Sequence, residues 1–167
     1  MILYILLLLV LVLIVVLVPM ARKYLKTRRD RAELQRTVHE CADKYSFLVD
    51  RQFRVKETNF YELNIEQKDD QPSVLGNVLH CQTGCDSGLC GTGIACATCP
   101  VRMVLSNAFK MKRDFSSVMA TMRLYDASHQ VHEVGVKVDG TLVYLGTEPH
   151  FIVQAEVEPE LEPKHEG

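Results

Sequence analysis

What this chain lacks narrows its function before anything it contains is read. With 19 Lys and Arg against 21 Asp and Glu, its formal net charge is −2 and its isoelectric point is about 6.3, so there is no global basic field and no nucleic-acid partner is expected. There is no Ser-His-Asp or Cys-His arrangement and no pair of carboxylates in a predictable cleft, so the chain is not expected to be an enzyme. The stretch Gly91-Thr-Gly93 has no Lys after it and no strand-to-helix frame, which excludes a phosphate loop; its glycines instead permit tight turns. No internal repeat is present, and 167 residues leave room for one small domain.

The N-terminus lacks something too. No Lys or Arg precedes the apolar run Met1 to Val18, and that run exceeds the roughly 7 to 15 residues of a signal-peptide core, which argues against a cleaved secretory signal. Made only of Met, Ile, Leu, Tyr and Val, the run reaches about 27 Å as a helix, close to the roughly 30 Å of a hydrocarbon core, and Pro19, Met20 and Ala21 close the gap. Residues 1–21 therefore predict a retained single-pass anchor in a lipid bilayer. Seven basic residues follow (Arg22, Lys23, Lys26, Arg28, Arg29, Arg31, Arg36) against Asp30 and Glu33. The positive-inside rule then places the N-terminus outside and the rest of the chain in the cytoplasm, at the inner membrane.

Cysteine is concentrated in one place. Five of the six fall within the run Cys81-Gln-Thr-Gly-Cys85-Asp-Ser-Gly-Leu-Cys90-Gly-Thr-Gly-Ile-Ala-Cys96-Ala-Thr-Cys99. In a reducing cytoplasm clustered thiols are more often metal ligands or redox groups than disulfides. Cys96-x-x-Cys99 suits two thiolates converging on one tetrahedral ion or cluster, and Cys81 and Cys90 complete a set of four. Cys85 reads as idle or as an alternative ligand. His80 is expected to point away from the site, because neighbours on an extended segment face opposite ways, and Cys41 reads as a small buried apolar residue.

Along the rest of the chain, residues 22–45 form a basic juxtamembrane helix. The positions Leu34, Val38, Cys41, Tyr45 and Leu48 make a seven-residue apolar stripe that suits either a short coiled coil in a homodimer or packing on the chain's own domain. Ser46 to Val49 and Phe53 to Thr58 predict two antiparallel strands joined at Asp50-Arg51-Gln52. Phe60 to Ile65 suits a short helix or a ragged strand, and Lys68 to Pro72 a loop. Pro100 to Lys112 has a helical apolar period with Pro at home in the first turn, so the helix dipole would lie beside the thiolates and favour their ionised form; Arg102 reads as an exposed helix-surface residue. Phe115 to Tyr125, Val131 to Val138 and Phe151 to Val157 predict strands, with turns at Asp139-Gly140 and Gly146 to Pro149. The fold class is α+β, a five-stranded antiparallel sheet with short helices over residues 46–158; residues 159–167 read as a disordered acidic tail.

The order of two strands, short helices, a longer helix and three strands resembles the PAS sensor fold, with Phe47-Leu-Val-Asp50-Arg-Gln-Phe-Arg-Val55-Lys-Glu-Thr-Asn59 similar to its opening hairpin. Gly76-Asn-Val-Leu-His-Cys81, then Cys90-Gly91, then Cys96-Ala-Thr-Cys99-Pro-Val-Arg102, resembles a cysteine-bearing PAS variant of bacterial sensory histidine kinases. The resemblance spans about residues 46–158 and implies a cytoplasmic sensory or dimerisation module, with Cys81, Cys90, Cys96 and Cys99 matching the variant's cysteines and Cys85 as an addition. No stretch after Val157 supplies a phosphoacceptor helix or an ATP-binding domain, so no kinase output is expected from this sequence. His39-Glu40 imitates a phosphoacceptor pair but lies before the sensor region.

The four cysteines are spaced by eight, five and two intervening residues, which is neither the bacterial two-cluster ferredoxin run nor the plant-type run. Zinc and an iron–sulfur cluster both remain open, with zinc preferred because it demands less of its surroundings. Three readings follow. One is a membrane-anchored PAS-like signalling module related to two-component systems, regulating a separately encoded partner or surviving as a truncated kinase. Another is a small membrane-tethered electron carrier with a cluster. The last is a structural, zinc-stapled interaction domain.

Overall fold

A computed structural model describes the backbone of residues 2–41, 44–63 and 74–158, and their side chains except those of 2, 3, 5–10, 62, 63 and 158. The expected loop Lys68 to Pro72 and the acidic tail 159–167 lie outside the described residues. Helix α1 (Ile2–His39) runs unbroken through Pro19, joining the apolar run to the basic segment. Among the described residues no helix is long and apolar enough to cross a membrane. The side chains of 1–3 and 5–10, half of the run on which the anchor expectation rests, lie outside the described ones.

The helix expected to continue to Tyr45 stops at His39, and Tyr45 opens strand β1 (Tyr45–Val49). Asn59 supplies the physical reason. Its side-chain amide donates to the carbonyls of Cys41 (2.7 Å) and Lys44 (3.0 Å) and its Oδ1 accepts the Ser46 N–H (2.7 Å), so Cys41, Lys44 and Ser46 are tied to Asn59 and the helix does not carry on into Tyr45. Only Leu34 and Val38 of the apolar stripe are therefore helical, and they pack on the chain's own sheet. Val38 (0% exposed) sits against Leu48 and Ile152, with Leu34, Val143 and Leu145 around them.

Strands β1, β2 (Val55–Thr58), β3 (Phe115–Tyr125), β4 (Val131–Leu145) and β5 (Glu148–Glu158) form one antiparallel sheet in the order β2-β1-β5-β4-β3. Alternation assigns the two faces: Phe47, Val49, Phe151, Val153 and Ala155 point into the main core, whereas Leu48 and Ile152 meet α1 on the other side. The main core is closed by α2 (Phe60–Leu63), α3 (Leu75–Val78) and α5 (Pro100–Met111), the last burying Val101, Leu105, Ala108 and Phe109. Phe109 meets Phe151 edge-on at 4.7 Å between ring centroids. The stretch Phe60 to Ile65 resolves as a helix in its first four residues, and α5 ends where expected, at Lys112 in the left-handed region (φ 51).

The turn expected at Asp139-Gly140 is not a turn. Strand β4 runs straight through it to Leu145, and the Phe115 ring lies on Gly140 where any side chain would collide with it. Gly140 is thus a close-approach glycine in a strand, a signal the sequence shares with turn chemistry. The reversal comes instead at Gly146 (φ +66), and Pro149 already belongs to β5.

Candidate metal centre

All six cysteines are thiols, and four of them line one cavity. Cys81, Cys90, Cys96 and Cys99 line a cavity of about 290 Å³ between the cysteine-rich loop, the start of α5 and residues Thr121 to Arg123 of β3. They also lie within electrostatic reach of one another: Cys81 feels Cys96 and Cys99, and Cys90 feels Cys81 and Cys96. Cys85, in helix α4 (Gln82–Asp86), does not line the cavity. Cys41 lies on the α1 side of the sheet, half-buried, its sulfur accepting from Gln154 (3.1 Å). Among the described residues no three His, Cys, Asp or Glu side chains are grouped so as to hold one metal ion.

Each thiol is placed by its own local device. Cys81 follows α3; its N–H donates to the Gly76 carbonyl (2.8 Å), and a bridge to Leu124 fastens it to β3. Cys90 is held by Asn77, whose Oδ1 accepts the Cys90 N–H (2.7 Å) while its Nδ2 reaches back to the Gly88 carbonyl (3.3 Å). Gly76 and Gly84 let the chain approach Cys90 closely: a methyl on Gly76 would stand 2.5 Å from the Cys90 sulfur. Cys96 is the buried member, in a 3₁₀ turn (Ile94–Thr98) begun by Cys96 N–H donating to Gly93 (3.0 Å). Cys99 caps α5, its carbonyl accepting the Met103 N–H (3.0 Å), with Pro100 in the first turn as expected.

Two positions count for more than sequence reasoning granted them. Arg102 is not a free surface residue: its guanidinium stacks on Phe53 (4.8 Å), packs on Gly91 and lines the cavity beside the thiols. Its only sequence signal was one-turn spacing from Cys99 at the start of a helix. Asn77, between Gly76 and the first cysteine, carried no signal at all, because its partner Cys90 lies thirteen residues away. His80 adopts a left-handed backbone (φ 54), its ring 5.9 Å from Phe60, and it does not line the cavity.

Burial pushes the Cys81 thiol up from its ordinary range, against the N–H groups of Gly84 and Thr83, which oppose the shift. Burial also raises Cys90, with the Gly76 N–H and the Arg102 charge pulling the other way, and it raises Cys85. The four cysteines that line the cavity are soft donors partly shielded from water.

No family model matches the chain, and no curated protein is similar to it. Among solved structures it is similar to a chain from the crystal structure of the E. coli DhaR(N)-DhaL complex, at 17% identity and a TM-score of 0.41 over 86% of this chain and 40% of that one. The chain thus spans less than half the length of that neighbour, and the likeness bears neither on the fold nor on the function of this protein.

Proposed function

We propose that this protein is a membrane-anchored, PAS-like sensory module whose state is set at a metal or redox centre formed by Cys81, Cys90, Cys96 and Cys99. The carrying observation is the cavity itself. Four cysteines that reach it from three separate turns and the cap of α5 converge on one space, and the wall of that space includes Phe53, Leu75 and Val101 of the main core. Filling or emptying the cage therefore bears on the packing of α3 and α5 against the sheet.

The opposite face of the same sheet supports the signalling half of the reading. Leu48 and Ile152, which hold Val38 of α1, alternate with Phe47, Phe151 and Val153, which face the core. A shift in the core is passed through a shared backbone to the helix leading to the membrane, and Asn59 ties the end of that helix to the first hairpin. The anchor is supported by the helix itself: Leu11 through Val18 are each at least 41% exposed, an all-round apolar surface with no protein against it, directly before the basic segment. The PAS-like reading is supported by the observed element order, two strands, helices and three strands, together with the cysteine pattern. A separately encoded partner would receive the signal.

Metal content and thermal unfolding of the Cys96→Ser, Cys99→Ser double variant test the centre. Loss of two of four ligands should empty the site and lower the melting temperature, since binding energy at such a site is also folding energy. Unchanged metal content and melting temperature would remove the centre from the reading.

A further inference from the structure

We infer that Arg102 is a positioning residue of the four-cysteine centre, the fixed counter-charge that stabilises its anionic, metal-loaded state; the inference rests on the centre proposed above and holds for zinc and for a cluster alike. Thiolates gathered around a divalent ion or a cluster carry a net negative charge, and a charge partly withdrawn from water is costly unless an opposite charge stands beside it. The described residues that line the cavity include no carboxylate and two cations, Arg102 and Arg123. Arg123 is exposed on β3, whereas Arg102 is half-buried.

Arg102 also stands where a cation is otherwise out of place. Cys99 is the N-cap of α5 and Pro100 its first residue, so Arg102 lies in the first turn, at the positive end of the helix dipole, where acidic side chains are favoured and basic ones are not. That turn contains no acidic residue. Dipole and guanidinium therefore add, and this end of α5 is a place for an anion. The guanidinium is held there from two sides. It stacks at 4.8 Å on the ring of Phe53, a core residue 7% exposed, and it covers Gly91, where a methyl would stand 2.4 Å from Nη1. Gly91 follows Cys90 and donates its N–H to the Cys96 sulfur (3.3 Å). One side chain thus bears on the segments that carry Cys90, Cys96 and Cys99, with a charge that persists at any working pH.

The test uses the full chain in detergent, reduced and stripped of metal without oxygen, then loaded with zinc, or with ferrous iron and sulfide where zinc does not bind, and titrated with a chelator. Arg102→Met keeps an apolar stem and loses the charge, and it should release metal at a chelator concentration about 10- to 100-fold lower. Arg102→Lys restores the charge without the planar fork, and it should recover most of that loss. The melting temperature of each metal-free variant is read alongside, because a merely structural Arg102, one that only packs on Phe53, would leave Lys no better than Met. A release point unchanged in Arg102→Met, or equally low in both variants, would overturn the counter-charge role and leave the four-cysteine centre standing. An unaltered chain that takes up neither zinc nor iron would overturn the centre and the inference together. Should Arg102→Met fail to fold, Arg102→Gln, uncharged and planar, takes its place in the same comparison.

Discussion

Replacing Gly76 by Ala places one methyl group against the proposed centre without replacing any of its cysteines. The new carbon would stand 2.5 Å from the Cys90 sulfur and 2.9 Å from its Cβ, well inside ordinary contact, so a sulfur rotation alone does not relieve it. Cys90 cannot retreat freely, because Asn77 holds its N–H at 2.7 Å and Gly84 backs its Cβ. Overpacking of this kind costs about 1 to 3 kcal/mol, and Ala in place of Gly in helix α3 returns about 0.5 to 1 kcal/mol. The metal-free protein should therefore lose about 0 to 2.5 kcal/mol, at roughly 4 °C of melting temperature per kcal/mol. If Cys90 is one of four ligands, as proposed, the metal-loaded protein should lose more, because the displaced thiol is then a ligand. Calorimetry of both proteins, loaded and after chelation, reads the difference: the gap between loaded and stripped melting temperatures should shrink sharply in G76A. A variant with full metal content and an undiminished gap would refute the placement of Cys90 in the centre.

Cys85→Ser should leave metal content unchanged and alter stability by no more than about 0.5 kcal/mol by urea titration, since Cys85 stands outside the cavity wall. Val38→Ala removes buried methyl groups at a fully covered position, at about 2 kcal/mol, and should speed amide hydrogen exchange at the end of α1 without changing metal content; unaltered exchange would mean that α1 does not depend on the sheet. Asp50 gives the pH prediction. Burial alone would raise its carboxyl, but the Arg54 N–H, the Lys56 ammonium at 3.0 Å and the Gln52 N–H together hold it below the usual carboxylate range. A lowered folded-state value means that the contribution is complete above the unfolded value of about 3.9 and is lost as pH falls through the folded one. Asp50→Asn should therefore destabilise at pH 6 by about 1 to 3 kcal/mol and by progressively less below about pH 4, and equal losses at both ends in urea unfolding would contradict the assignment.

Strong local periodicity made much of the fold legible. Phe115 to Tyr125 reads as a strand from its β-branched residues and forms β3 with those bounds, and the apolar stripe of Pro100 to Lys112 places α5 to within one residue. Glycine and the linker were harder, because their local chemistry has two outcomes that only a distant partner separates. Gly140 reads as a turn until the Phe115 ring covers it, and the run from Ala32 to Tyr45 reads as one helix until Asn59 takes up the carbonyls of Cys41 and Lys44.

The centre divides along the same line. Clustering, a C-x-x-C pair and small residues between cysteines are local properties, so the sequence by itself pointed to Cys81, Cys90, Cys96 and Cys99 as one group, which the structure places along one cavity, and to an α+β fold with a five-stranded antiparallel sheet. Only the tertiary structure decided that Cys85 stays off the wall of the cavity that the other four line, that Asn77 holds Cys90, and that Arg102 faces that cavity. Those outcomes depend on how far apart segments come to rest when α3, α5 and β3 pack together, a distance that no spacing along the chain encodes.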